Sequence, residues 1–306
     1  MTDPLAELIA LLRPAEVHAK SITGTGAWGV RYAPYGHPGF CVVTEGACLL
    51  RVEAAEPIRL EAGDFVFLPT TPAFVLSGFE PVDPPPLDPV AASRQITHVH
   101  YGSGEGEPDV RMLGGYFLFG SPDTTLLTQF LPKVLHVHGV SRLETLVRLV
   151  QEETAQALAG RELVLARLVE ILLIEALRAA PGQGAPAGLL RGLADERLVA
   201  SIRAIHADPS RAWTVEQLAN VAALSRSAYF QRFSHALGLP PMEYLLTWRM
   251  AIAKDLIARG RIPMEQVAER IGYSSASTFS TAFRRHVGRS PRSYARERNH
   301  TRASTI

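Results

Sequence analysis

Residues 264–294 read MEQVAERIGYSSASTFSTAFRRHVGRSPRSY, and the spacing of their apolar side chains decides the fold of the C-terminal part of the chain. Val267, Ala268 and Ile271 recur at helical intervals until Gly272 breaks the pattern; Phe279, Phe283 and Val287 then resume it at i, i+4 and i+8. Two helices that share a small core across a short glycine-containing break form a helix-turn-helix, whose second helix is presented to the major groove of DNA. Ser274 or Ser275 stands where that helix needs a side-chain N-cap. With the aromatic residues inward, Ser277, Ser280, Thr281 and Arg284 form the opposite stripe, and Ala276 lies beside them. Small hydroxyls can meet base edges while arginines hold phosphates. An ordinary amphipathic hairpin with a solvated face would show the same periodicity, so the rest of the chain has to decide between the two.

Charge favours DNA. The 306 residues carry a net charge of +1, yet residues 190–306 hold 18 Lys+Arg against 9 Asp+Glu, whereas residues 1–189 hold 13 against 21. Seven arginines fall between Arg284 and Arg302. A domain with that surplus attracts a polyanion whatever its sequence, and the acidic remainder, which a polyanion repels, is expected to do a different job. A repeat points the same way. Residues 214–245, TVEQLANVAALSRSAYFQRFSHALGLPPMEYL, follow the same plan about 50 residues upstream. Leu218, Ala219 and Val221 precede a break at residues 223–225, after which Tyr229, Phe233 and Leu237 face inward; Thr214 and Gln217 have capping-box spacing. Ile252, Leu256 and Ile257 lie on a helix that joins the two units, and Gly260 closes it.

Upstream, Leu5, Leu8, Ile9 and Leu12 mark a short opening helix ended by Pro14. From Trp28 to Phe119 the period shortens to brief runs of β-formers parted by Gly and Pro: GVRYA, FCVV, CLLRV, PIRL, DFVFL, AFVL, ITHVHY and GGYFLF. These predict an antiparallel β barrel or sandwich. Glu45-Gly46 is expected to be one hairpin turn, residues 61–64 another, and the proline-rich residues 80–90 an exposed loop. Helical periodicity begins at Ser141 with Leu143, Leu146, Val147 and Val150, and continues in LVLARLVEILLIEALRA, which is apolar on more than one face. Such a helix is buried between neighbours or shared with a second subunit, so a homodimer is expected. PGQGAPAG, residues 181–188, reads as a flexible linker.

The expected architecture is therefore α+β. An antiparallel β barrel with helices, an effector and dimerisation domain, spans residues 1–180; a linker spans 181–189; an all-α domain with two helix-turn-helix units spans 190–300. No apolar run reaches the roughly 18 residues of a membrane span. The start, MTDPLAELIALLRP, lacks the basic beginning and long apolar run of a signal peptide, and two cysteines make no disulfide framework, so a reducing cytoplasm is expected.

The repeat, the joining helix and the closing FxxAFRRHVGRSPRSYAR together resemble the DNA-binding domain of the AraC/XylS family of bacterial transcription regulators, over about Ala194 to Arg298. Residues 28–180, with PGFCVVTEGACLLRV and EAGDFVFLP, resemble the cupin-type effector domain of one branch of that family. The resemblance implies two helix-turn-helix units entering successive major-groove segments on one face of double-stranded DNA. It also implies a dimer that activates transcription in response to a small ligand, with RNA polymerase as a further partner. By position, the first reading helix is Ser225–Ala236, with Arg226, Ser227, Phe230 and Gln231 facing the bases. In the second, Ala276, Ser277, Ser280 and Thr281 correspond, with Arg284 and Arg285 near phosphate and Arg249 of the joining helix as a further phosphate residue. Phe230 and Ala276 stand where the family often carries long polar side chains, which implies contacts to thymine methyls.

Metal-binding cupins carry an HxH, a nearby Glu and a later His. Here His37 is followed by Pro38-Gly39, and Ala73-Phe74 stand in the place of the later His, so the usual site is missing and no metal or other cofactor is expected. His98 with His100, and His136 with His138, would each set two imidazoles on one strand face, but the sequence places no third ligand. The barrel interior, represented by Phe40, Val42, Phe65, Phe67 and Phe74, is expected to hold a mostly apolar effector unless packing fills it. Cys41 and Cys48 are expected near one another across the Glu45-Gly46 hairpin, as small core residues or, alternatively, as a thiol switch. The reading these features support is a ligand- or stress-responsive, sequence-specific transcription regulator. A metal-dependent cupin oxygenase or isomerase with an appended helical domain is the competing class, and a nonspecific nucleic-acid packaging protein the third.

Overall fold

Residues Gly39–Val52 run as one long strand where the sequence predicts a hairpin. Gly46 takes φ +72°, and a Cβ there would lie 1.8 Å from the carbonyl oxygen of Asp109. The glycine lets a neighbouring strand pass closely, and the chain bulges between Val43 and Glu45 instead of turning back. A computed structural model describes residues 3–12, 14–53, 55–87, 98–103, 106–119, 130–156, 158–180, 187–260 and 262–296. The strands in chain order are β1 (Pro14–Thr25), β2 (Gly29–Tyr32), β3 (Gly39–Val52), β4 (Ile58–Glu61), β5 (Phe65–Leu68), β6 (Phe74–Ser77), β7 (Pro86–Leu87), β8 (His98–Gly102), β9 (Val110–Phe119) and β10 (Leu135–Val137).

The chain divides into two compact units, residues 13–186 and residues 1–12 with 187–306. In the first unit, the early half of β3 pairs with β5 and β9, and its late half with β4 and β6. One bulged strand thus belongs to two sheets and curls them into a cupin-like half-barrel. Most pairings are antiparallel, but β1 runs parallel to β8 and β2 parallel to β7. β7 is a correction: the proline-rich stretch contributes a short edge strand, where a missing N–H is tolerated, before residues 88–97, which lie outside the described residues. β1 was also not foreseen, because PAEVHAKSITGT mixes Glu, His, Lys and Gly into a strand with little apolar content. The expected turn at residues 61–64 is present, with Gly63 at φ +95° and the Asp64 N–H donating to the Glu61 carbonyl at 3.0 Å. Helices α2 (Ser141–Ala155) and α3 (Arg161–Ala179) follow and contact β1, β3, β5 and β10.

The second unit is helical: α1 (Pro4–Leu12), α4 (Leu189–Ala194), α5 (Val199–Ala207), α6 (Val215–Val221), α7 (Arg226–Leu237), α8 (Pro241–Arg259), α9 (Met264–Arg270), α10 (Ala276–Val287) and a last helical stretch over residues 291–296. The opening helix, read from the sequence as part of the N-terminal domain, packs here instead. Nine residues make a marginal helix alone, and its apolar stripe is covered by α5 and α8, which leaves Leu8 fully buried. Glu7 reaches His206 Nδ1 at 2.8 Å, while His206 Nε2 lies 2.7 Å from the Tyr244 hydroxyl and its ring 4.0 Å from that of Trp248. Burial holds the His206 pKa below the usual imidazole value, against the raising effect of Glu7.

The internal repeat appears as two matched aromatic cores. Tyr229, Phe233 and Tyr244 pack in tilted and edge-to-face geometry with centroid separations of 5.4 and 5.5 Å; Phe279, Phe283 and Tyr294 pack edge-to-face at 5.5 and 5.7 Å. The capping box at Thr214 and Gln217 is formed. The turns differ: Gly272 takes φ +81° in the second, whereas Ala223 holds φ +51° in the first. A side chain in that left-handed region costs about 1 kcal/mol. Ala223→Gly is therefore expected to stabilise the protein by about 1 kcal/mol in urea denaturation, and an unchanged or lower midpoint would show that the turn carries no strain.

Candidate nucleic-acid interface

Each reading helix starts on a serine. Ser225 Oγ accepts from the Ala228 N–H at 3.3 Å, and Ser275 Oγ accepts from the Thr278 N–H at 3.1 Å, which selects Ser275 over Ser274 as the cap. With Tyr229 and Phe233 buried, α7 turns Arg226, Ser227 and Gln231 to solvent together with Phe230, which is 44% exposed. With Phe279 and Phe283 buried, α10 exposes Ser277, Thr281, Arg284 and Arg285, flanked by half-buried Ala276 and Ser280. Ser277, Ser280, Thr281, Arg284, Arg285 and Ser290 line one shallow hollow. The Thr281 hydroxyl donates to the Ser277 carbonyl at 3.2 Å, so its oxygen is held as an acceptor facing outward. A wet aromatic, several hydroxyls, an amide and paired guanidinium groups are the chemistry that meets base edges and phosphates.

Arg249 is a correction. Its Nε donates to the Pro209 carbonyl at 2.6 Å and its Nη2 to the carbonyls of Arg211 at 2.8 Å and Ser210 at 3.3 Å. The guanidinium is committed to the α5–α6 loop rather than held out for phosphate.

In the β unit a cavity of about 70 Å³ opens between the sheets. At 10–15 Å³ per water-sized sphere this is room for roughly five waters. Of the five residues expected there, Phe40 and Phe74 line it; Val42, Phe65 and Phe67 do not. Side chains alternate along a strand, and their neighbours Cys41, Val66 and Leu68 point inward in their place. Phe67 instead meets Phe117 edge-on, and Phe40, while bordering the cavity, packs against Phe117 in a tilted geometry. Lys20 of β1 was missed, as was the strand that carries it. It lines the cavity with Tyr32, Tyr35 and Tyr116, its Nζ 5.6 Å over the Tyr32 ring, and burial lowers its pKa. The Tyr32 and Tyr101 hydroxyls meet at 3.1 Å.

This lining does not fit a cupin metal: it offers a cation, a thiol and phenols, with no His, Asp or Glu among its residues. Among the described residues no three His, Cys, Asp or Glu side chains gather closely enough to hold an ion. His136 and His138 do come together, each on one oxygen of buried Asp64, at 2.9 and 2.5 Å. The Asp64 carboxylate raises the His138 pKa. His98 and His100 are both exposed on β8, with His100 Nδ1 2.9 Å from Thr23 Oγ1. Cys41 and Cys48 lie along β3 rather than across a hairpin, because the bulge replaces the turn. Both are buried and unpaired by disulfide; burial pushes each thiol up, Cys48 to about 12.

Two serine-capped reading helices with basic, hydroxylated faces, in one chain with a cupin-like half-barrel, define a DNA-binding transcription regulator. The cupin family matches residues 3–180 and the helix-turn-helix domain family residues 218–297. The chain is 34% identical over 302 residues to a putative AraC-like transcription regulator of Streptomyces antibioticus, with 95% of this chain and 98% of that protein covered. It is 29% identical over 302 residues to the RCS-specific HTH-type transcriptional activator RclR of Escherichia coli (strain K12), with 97% and 98% covered. Among solved structures, the DNA-binding domain of AdpA in complex with a target DNA aligns at 28% identity over 36% of this chain and 97% of that one, with a TM-score of 0.33. The chain belongs to the AraC-like family of transcription regulators, whose members bind DNA and are not enzymes.

Roles separate by chemistry. Arg284→Ala is expected to reduce the slope of log affinity against log salt by about one unit at unchanged sequence preference, while Thr281→Ala or Gln231→Ala shifts preference between sequences by about 1–3 kcal/mol. Competition binding across a salt series reads both, and the reverse pattern would mean that the faces are misassigned.

Proposed function

We propose that this chain is a cytoplasmic, effector-responsive regulator that binds its target as a homodimer and activates transcription with RNA polymerase. The observation that carries the reading is the matched pair of outward stripes: exposed Arg226, Ser227, Phe230 and Gln231 on α7, and exposed Ser277 and Thr281 with half-buried Ala276 and Ser280 on α10. A protein that only packaged nucleic acid would need the positive charge but not two like reading helices. Arg284 and Arg285 then supply phosphate contacts at the end of α10.

Support for an effector comes from the β-unit cavity, whose volume and aromatic walls suit a small, mostly apolar molecule. A thiol switch is the less favoured input, since burial keeps Cys41 and Cys48 protonated and poorly reactive. Support for a dimer comes from α3, where Leu165, Val169 and Leu172 are buried while Leu163 (62%), Val164 and Ile171 stay exposed on the same helix. A second copy would cover that face. Among the described residues no helix is long and apolar enough to cross a membrane.

The test compares affinity for the DNA upstream of the protein's own gene with affinity for random DNA over a salt series. The specific duplex is expected to bind about 10³-fold or more tightly at physiological salt, with the gap persisting as salt rises. Equal affinity at every salt would leave only polyanion binding.

A further inference from the structure

The two reading heads meet at a joint that neither head's own fold requires. We propose that Arg249, on the joining helix, and Gly272, in the turn of the second head, form a register clamp that fixes the spacing and angle of α10 relative to α7 and thereby sets which separation of half-sites the protein accepts.

The α5–α6 loop is itself well built. Asp208 Oδ1 accepts from Ser210 Oγ at 2.7 Å and from the Arg211 N–H at 3.1 Å; the Trp213 indole donates to the Asp208 carbonyl at 2.9 Å, and the Arg211 guanidinium covers that indole ring at 4.1 Å. Its three following carbonyls, of Pro209, Ser210 and Arg211, converge on the Arg249 guanidinium. This arrangement ties the approach to the first head to the middle of α8.

The second head closes on the same spot. A Cβ at Gly272 would lie 2.1 Å from the Ser210 carbonyl oxygen and 2.9 Å from Arg249 Nη2. The backbone of the second turn is therefore seated against the first head's loop and the arginine that holds it. Burial raises the phenol pKa of the next residue, Tyr273, and the nearby Arg249 guanidinium offsets part of that rise. Its ring lies 5.9 Å from Phe279, the first buried aromatic of α10. A continuous path of contacts thus runs from the loop before α6, through Arg249 and the second turn, to the reading helix.

Both heads also bury side chains on α8: Tyr244 and Trp248 face the first core, while Met250, Ala253 and Ile257 belong to the second. Apolar packing is nondirectional and accommodates small slides. Hydrogen bonds from a planar guanidinium, and a backbone approach that leaves no room for a methyl group, do not. On DNA the distinction matters, because each base pair advances about 3.4 Å along the axis.

The test uses the full chain with spin labels on cysteines placed at Ala228 and Thr278, exposed and equivalent positions of α7 and α10. Arg249→Met, Arg249→Lys and Gly272→Ala are compared by pulsed dipolar spectroscopy without DNA, each first checked for helical content and cooperative melting. The wild-type distance is expected to be single and narrow, and to broaden or shift by about 2 Å in every folded variant of the three, most in Gly272→Ala, whose Cβ must displace the loop. A wild-type distribution in the folded variants would overturn the proposal. If Arg249→Met fails to fold, Arg249→Lys and Gly272→Ala decide. Without labels, on a duplex selected from a random pool, inserting one base pair between half-sites is expected to cost the wild type about tenfold and a folded variant under about threefold, with half-site affinity kept within about twofold. Equal losses on half-site and full site, with the spacing preference intact, would make Arg249 merely a stability residue. Failure of the wild type to select any sequence would count against specific reading and leave the DNA-free distances to judge the clamp.

Discussion

Both reading heads depend on the burial of an aromatic triad against one shared helix. Tyr229, Phe233 and Tyr244 close the first core, Phe279, Phe283 and Tyr294 the second, and α8 runs between them. Truncating a buried ring of this kind costs about 3–5 kcal/mol, more than the roughly 1–3 kcal/mol of a good base contact. The inward stripes are therefore tightly constrained, and the outward ones are free to carry whatever residues a given DNA sequence demands. That division places a wet Phe230 and a small Ala276 on faces whose neighbours are polar without any penalty to the fold.

The β unit is governed by a different constraint, the bulge in β3. Because Gly46 lets Asp109 come close, a single strand serves two sheets, and the space between them becomes a walled cavity. Lys20 enters it from β1, and the surrounding tyrosines give it aromatic neighbours in place of water. A lysine among phenols has a chemistry opposite to that of a metal-binding cupin.

The helical half was legible because its signals are local: the aromatic spacing, the serine caps and the Thr214–Gln217 box each lie within a few residues of what they determine. The β half was legible only as a class. Its strands were mostly found, but Glu45-Gly46 has the composition of a hairpin turn, and only the approach of Asp109, over 60 residues away, makes it a bulge. That error set Cys41 and Cys48 across a turn that does not exist; separately, three of the five residues expected in the pocket, Val42, Phe65 and Phe67, gave way to their strand neighbours, while Phe40 and Phe74 do line it. Arg249 failed for a related reason. An arginine on a helix between two DNA-reading units looks like a phosphate ligand until the carbonyls of residues 209–211, some forty positions upstream, are brought to it. Likewise α1 carries an apolar stripe that says it must be covered, but not by which unit.

Two similar heads held on one helix are proposed to read adjacent stretches of the same face of DNA. Base-contact footprinting of the full chain on its preferred duplex tests this reading most directly. Two protected major-groove patches are expected on one face, centred about one helical turn of 10–10.5 base pairs apart. A single patch, or two patches on opposite faces, would contradict the account.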